Sequence, residues 1–334
     1  MSVAARQVVL GRRPHGAPCA GDFAIQHITL GAPRSGEVLV RNLWLSLDPY
    51  MRLFMNDQGG VHGSVPVGAA MPGGAVGEVI ASAHPALPLG SYVVSMAHGW
   101  RDHYLADGGQ LQPVNAPKAL LHRFLGLYGL TGITAWGGIH GVLKPGAGET
   151  VFINAAAGAV GSVAVQLAHS AGAKVIACAG SDDKGAWLTG ALGADHFINY
   201  RREDVRVRLA ELAPEGLEMM FDNVGGEQLE IAIDAMKPKG RIALCGAVAL
   251  YNSENYRAGP RNLFAVIEKH ISLTGFNAGF YFSEAPRIID EFAAAEATGK
   301  LIEEITVVDG LDAMPHGFVA MLAGHNRGKM LVRL

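Results

Sequence analysis

Long apolar runs are missing from this chain. Nowhere does an uninterrupted stretch approach the roughly eighteen residues that a membrane-crossing helix needs, and residues 1–20 carry arginines and glycines instead of an apolar core. No export or spanning segment is therefore expected. Charge is sparse too, at 17% of residues, and neither sign dominates: 27 basic and 30 acidic side chains leave a formal net charge of −3. Without a basic stripe, no nucleic-acid and no membrane partner is expected. The three cysteines, Cys19, Cys178 and Cys245, lie far apart. The last two adjoin apolar, strand-like runs, so a reducing cytoplasm and ordinary core packing fit better than a disulfide framework or a metal knuckle. A Gly-x-Ser-x-Gly elbow is missing, which leaves a hydrolase without support, and there is no internal repeat or low-complexity segment.

What the chain does have is 334 residues, 49% of them hydrophobic, enough for a large core divided between two domains. Its first third holds short β-branched runs cut by Gly and Pro, at Glu37 to Leu45, Ala75 to Ala81 and Ser91 to Met96, the pattern of an irregular β domain. From about Thr150 short apolar runs alternate with longer amphipathic ones: Val151–Asn154, Gly158–Ala171, Lys174–Ala179, Lys184–Leu192, and so on to a strand at Arg241–Leu244. Apolar strands separated by helices predict a parallel sheet covered on both faces. Thr306–Val308 and Met330–Leu334 return to strand-like patterning, as if to rejoin the first domain and make the sheet domain an insertion.

Directly after the run Val151–Asn154 comes Ala155-Ala156-Ala157-Gly158-Ala159-Val160-Gly161, and then an apolar helix. This is a dinucleotide fingerprint with Ala156 in place of its first glycine. Small residues allow a tight turn and close approach to a pyrophosphate, whose charge meets the N–H groups of the helix start. An NAD-selective chain places Asp or Glu at the end of the second strand, where this one has Ala179. The following Gly180-Ser181-Asp182-Asp183-Lys184 brings a lysine within reach of a 2′-phosphate, with Tyr200 and Arg201 as further candidates. These features predict NADP as cofactor. The plainer alternative is a solvated helix start, capped by Asp182 or Asp183, with Lys184 facing water.

Six segments, in order, carry a resemblance. They are Leu45-Ser46-Leu47-Asp48-Pro49-Tyr50-Met51-Arg52, Gly129 to Trp136, Ala155 to Gly161, Phe221-Asp222-Asn223-Val224-Gly225-Gly226, Cys245-Gly246-Ala247 with Tyr251-Asn252, and Asn326-Arg327-Gly328-Lys329. With them the chain resembles the medium-chain dehydrogenase/reductase superfamily, and within it the leukotriene B4 12-hydroxydehydrogenase/prostaglandin reductase and alkenal double-bond reductase group. The resemblance implies an α/β fold: a Rossmann doubly wound parallel sheet at residues 125–301, inserted in a GroES-like, partly open β-barrel domain formed by 1–124 and 302–334, with the active site in the cleft between them. It implies that Thr134, Asn223, Gly246 and Asn326 line the cofactor site, that Lys184 and Tyr200 hold the 2′-phosphate, and that Phe276 and Asn277 meet the nicotinamide carboxamide through their backbone. Tyr251 is implied beside the nicotinamide ribose and the substrate carbonyl, and Tyr50 at the cleft wall. A homodimer joined through the edge strand Ile271 to Gly275 is implied as well.

Zinc members of the superfamily use a Gly-His-Glu motif, but the corresponding stretch here is Pro72-Gly73-Gly74-Ala75-Val76-Gly77. No metal is therefore expected. His98 with His103, or His62 with His84, match no metal spacing and read as loop residues. Without a metal to stabilise an alkoxide, an alcohol is a poor substrate, whereas an enone or enal needs only hydrogen bonds to its carbonyl oxygen as hydride reaches the β-carbon. The expected activity is NADPH-dependent reduction of the carbon–carbon double bond of a small unsaturated carbonyl compound, with Tyr251 and Tyr50 as catalytic candidates. The alternatives are quinone reduction and a non-catalytic NADPH-binding sensor. Substrate loops are expected at Phe54 to Ser64 and Arg257 to Phe264.

Overall fold

Short strands separated by glycine and proline are joined by tight turns, and such connections favour antiparallel pairing. In the computed structural model, which describes residues 2–57, 63–253 and 259–334, the chain opens with β1 (Val3–Leu10) and β2 (Phe23–Leu30), an antiparallel pair. It continues through β3 (Glu37–Ser46), β4 (Ala75–Ser82), β5 (Tyr92–Ser95), β6 (His103–Asp107) and β7 (Gln112–Val114). His62 and Arg257, together with parts of the two expected substrate loops, lie outside the described residues.

The middle of the chain alternates regularly. Helix α1 (Leu130–Trp136) runs on as one wide π turn through Leu143. Then follow β8 (Thr150–Ile153), α2 (Ala159–Ser170), β9 (Lys174–Ala179), α3 (Asp182–Ala191), β10 (His196–Asn199), α4 (Val205–Leu212), β11 (Leu217–Asp222), α5 (Gly226–Ala235), β12 (Met236–Leu244), α6 (Leu263–Glu268), β13 (Ser272–Gly275) and α7 (Ala285–Ala297). The six strands form one parallel sheet in the order β10-β9-β8-β11-β12-β13. That order reverses direction between β8 and β11, and at such a switch point helices lie on opposite faces and leave a crevice at the carboxyl ends of the strands. Phe152, Ile176, Ile198, Met220 and Ile242 are each fully buried in the core beside this sheet, each contributing about 1.5–3 kcal/mol.

The chain then forms β14 (Ile305–Asp309), α8 (Met314–Leu322) and β15 (Lys329–Arg333). These complete a seven-stranded sheet in the order β14-β15-β3-β4-β5-β7, with β6 also paired to β3. Its larger core joins Leu45, Met51, Met55 and Trp100 to Phe318 of α8. The chain divides into two compact units: residues Met1–Leu125, Ile305–Asn326 and Met330–Leu334, and residues Gly126–Glu304 with Arg327–Lys329. Two element starts differ from the sequence reading. Helix α3 begins at Asp182 instead of Lys184, because both aspartates favour the positive end of the helix dipole in its first turn. Strand β12 begins at Met236 instead of Arg241, since Met236 pairs with Leu217 ahead of a register shift and Lys239 sits at φ 65°. Among the described residues no helix is long and apolar enough to cross a membrane.

Candidate active site

The glycine loop leaves the middle of the parallel sheet. After β8, Ala155 takes φ 44°, a conformation that side chains other than glycine adopt at a cost. The turn closes with Gly158 N–H donating to the Ala155 carbonyl at 3.0 Å, and Ala156 N–H donates to Cys178 of β9 at 3.0 Å. A Cβ on Gly161 would come to 2.4 Å from the Ala155 carbonyl oxygen, and one on Gly158 to 3.2 Å. Close backbone approach thus requires glycine at 161 and makes a larger residue at 158 a tight fit. Gly158 caps α2 without any side-chain bond, and Gly158, Ala159 and Val160 are half-buried. This backbone surface at the start of a twelve-residue helix fits a diphosphate. Gly328 seals the loop's far side by donating its N–H to the Ala157 carbonyl at 2.9 Å.

Charge gathers beside the loop, where β9 and β10 end. An open pocket of about 460 Å³ is lined by Gly180, Ser181, Asp182, Asp183, Asn199, Arg201 and Arg202. A Cβ on Gly180 would lie 2.9 Å from the Tyr200 hydroxyl and 3.1 Å from Arg201 Nε, so glycine keeps this corner open. Lys184 stands beside the pocket without lining it. It is half-buried, and burial together with the Arg201 charge lowers its pKa. Two cations close enough to repel each other favour an anion between or beside them. Arg202, Asn199 and the pocket-lining role of Asp182 were not read from the sequence; the doubled Arg201-Arg202 after a strand end was the available signal.

At the ends of β8 and β11 two amides and a carboxylic acid are joined, Asn154 and Asp222 buried and Asn223 half-buried. Asn154 donates Nδ2–H to Asp222 Oδ1 at 2.7 Å and accepts Asn223 N–H on Oδ1 at 2.7 Å, while Asn223 Nδ2–H donates to the Asn154 carbonyl at 2.9 Å. Burial raises the pKa of Asp222 against the opposing donors Gly225 N–H, Asn154 and Val224 N–H. Next to this network a Cβ on Gly246 would meet the Asn223 carbonyl at 3.1 Å and the Tyr251 hydroxyl at 3.6 Å. Burial lifts the Tyr251 phenol, and the Ala247 N–H bonded to its oxygen pulls the other way. A phenol that accepts from the backbone keeps its own proton to donate. Phe276 is buried edge-on against Phe221, with ring centroids 5.9 Å apart. Asn277 is engaged locally, since its side chain accepts Gly279 N–H at 2.8 Å. The Thr134 hydroxyl likewise bonds back to the Leu130 carbonyl at 2.7 Å.

Tyr50 and Asn326 belong to the other unit. Tyr50 sits on a short 3-10 helix, Pro49–Met55, edge-on to Phe54 at 5.6 Å. Burial and the nearby Asp48 hold its phenol well above the ordinary tyrosine range. The paired histidines are used in packing. His98 stacks on Tyr104 at 4.3 Å and shares a 2.7 Å bond with Ser95, and burial brings its pKa down to about 4; His103 bonds Asp102 at 3.0 Å. Among the described residues no three His, Cys, Asp or Glu side chains are grouped as a metal site. Cys178 is buried as expected, whereas Cys19 is exposed, because it opens a turn closed by Asp22 and lies outside any apolar run.

A parallel sheet in this order, a glycine loop at its switch point and a mainly antiparallel unit ahead of it define a dehydrogenase/reductase. The chain belongs to the medium-chain dehydrogenase/reductase superfamily: residues 6–114 match the model described as the N-terminal domain of oxidoreductase, and residues 159–294 the one described as zinc-binding dehydrogenase. It is 35% identical to the 2-alkenal reductase (NADP(+)-dependent) of Nicotiana tabacum, covering 99% of this chain and 97% of that protein. It is 33% identical to the NADPH-dependent curcumin reductase of Escherichia coli, covering 98% of this chain and 96% of that protein. Among solved structures, CurA from Vibrio vulnificus in complex with NADPH superposes with a TM-score of 0.93 at 32% identity, covering 98% of each chain.

Proposed function

We propose that this chain is an NADPH-dependent oxidoreductase that reduces the carbon–carbon double bond of α,β-unsaturated aldehydes and ketones without a zinc ion. The observation that carries the reading is the Tyr251 phenol, half-buried beside Gly246, with a raised pKa and an Ala247 N–H on its oxygen. Such a group donates a hydrogen bond to a carbonyl oxygen as that oxygen gains charge. Bound NADPH supplies the hydride. Gly158, Ala159, Val160 and Gly161 with Ala156 cradle its diphosphate, and Gly180, Ser181, Lys184 and Tyr200 face its 2′-phosphate. Asn223, Gly246, Thr134, Phe276, Asn277 and Asn326 orient the nicotinamide half, and Tyr50 contacts substrate as a neutral phenol.

Glycines at the His and Glu places support the zinc-free part, since they carry no ligating side chain. A Cβ at Gly73 would come to 2.6 Å from the Met51 methyl and one at Gly74 to 3.2 Å from the Ser46 Cβ, so both places are closely packed. The reading is tested by the loss of reduced-nicotinamide absorbance with a medium-chain 2-alkenal, an aryl enone, a quinone and a saturated ketone, each with NADPH and with NADH. Turnover confined to NADPH with the alkenal or enone is the expected result. Preference for the quinone makes the protein a quinone reductase, and tight NADPH binding without turnover makes it a sensor. A homodimer is part of the proposal, supported by Phe264, Ile267 and Phe280, each 68–70% exposed, in the segments flanking edge strand β13. Light scattering should find two chains per particle, and Phe264→Asp should shift the mass toward one.

A further inference from the structure

The pocket beside α3 combines groups that oppose one another: Asp182 lines it together with Arg201 and Arg202. A bare carboxylate there would repel a phosphate. In the structure neither Asp182 oxygen is bare. Asn199, only 4% exposed, donates Nδ2–H to Asp182 Oδ1 at 2.6 Å, and the Arg202 guanidinium pairs with Oδ2. The same Asn199 shapes the turn that bears the arginines. Its Oδ1 accepts Arg201 N–H at 3.1 Å, and its carbonyl accepts the N–H groups of Arg202 and Glu203, each at 2.9 Å.

We propose that Asn199 and Arg202 form a clamp that orients and neutralises Asp182, and that this clamp sets the preference for a 2′-phosphorylated dinucleotide. The inference rests on the cofactor reading above. Arg202 is a positioning residue that acts through Asp182. Without it the carboxylate, still held by Asn199, keeps its full charge against a dianionic phosphate and gains a free oxygen able to accept from a 2′-hydroxyl. With side chains 73% and 59% exposed, the Arg202–Asp182 pair adds little to folding stability, so its loss should appear in selectivity. Asp183, the other acid lining the pocket, is the same in every variant compared and cancels.

Calorimetric titration of the whole chain with NADPH and with NADH gives the ratio of the two Kd values for the wild type, Arg202→Ala, and Arg202→Ala combined with Asp182→Asn. The preference for NADPH should fall roughly tenfold in the single variant, the scale of one charge acting on another across a water-exposed pocket, and should return almost fully in the double variant. If the double variant stays as poor as the single, Arg202 contacts the phosphate itself and the clamp is overturned. Equal weakening toward both cofactors also overturns it, since that is the mark of a merely structural role. A wild type that binds both equally removes the cofactor reading, and the clamp with it.

Discussion

The two halves of the parallel sheet's carboxyl edge handle polarity in opposite ways. At β9 and β10 charged side chains stand in an open pocket, and their arrangement depends on exposed ion pairs. At β8 and β11 a buried amide and a buried carboxylic acid, Asn154 and Asp222, are paired with each other and with half-buried Asn223. The exposed half can change its ligand preference at small cost to the fold, because water screens its pairs. The buried half cannot, since every broken bond leaves a desolvated group.

The comparison is tested first where the two halves meet. Gly161→Val pushes a side chain into the Ala155 carbonyl, and NADPH affinity should fall by roughly two orders of magnitude, about 3 kcal/mol, in a binding titration. Next, Tyr251→Phe should lower kcat for an enone by up to ~100-fold with the Kd for NADPH unchanged, the effect of losing one donor to a developing oxyanion. Because burial raises this phenol's pKa, wild-type turnover should show no loss from its ionisation up to the ordinary phenol range, about pH 10. Asn154→Ala removes bonds from buried partners and should cost about 2 kcal/mol in urea denaturation. A loss below half that would erase the contrast between the halves. Lys184→Ala should weaken NADPH about tenfold and leave NADH unaffected, with little change in Tm.

The smallest effect lies in the other unit. Burial pushes the folded pKa of His98 down to about 4 from the ordinary imidazole value of about 6.5, so the unfolded chain binds the proton more readily. Its contribution to stability is present above about pH 6.5 and is lost as pH falls toward 4. His98→Phe should flatten that part of the stability profile measured by thermal unfolding.

Which parts of this were legible in the sequence follows from how local each signal is. The glycine loop needs only a strand, small residues and a helix in succession, and it was readable from Val151 to Ala171, as were the strand alternation and the family. The Asp182 clamp joins residues seventeen apart through a buried amide, and nothing in the local pattern around Asn199 marks it. Lys184 and Arg201 were readable as phosphate candidates, whereas the lining role of Arg202 depends on a turn closed by the Asn199 carbonyl, which the local pattern does not announce. The start of β12 was hidden by Lys237-Pro238-Lys239, which reads as a turn when strand pairing is not known.

Gly328 also bears on the order in which the protein is made. It closes the outer side of the glycine loop, and a Cβ there would come to 1.9 Å from the Glu304 carbonyl oxygen. On a ribosome all six strands of the parallel sheet emerge before this residue does. The nascent sheet can therefore fold while one side of its loop is still uncovered, and the backbone bond that covers Ala157 forms only after the strip 327–329 has been added.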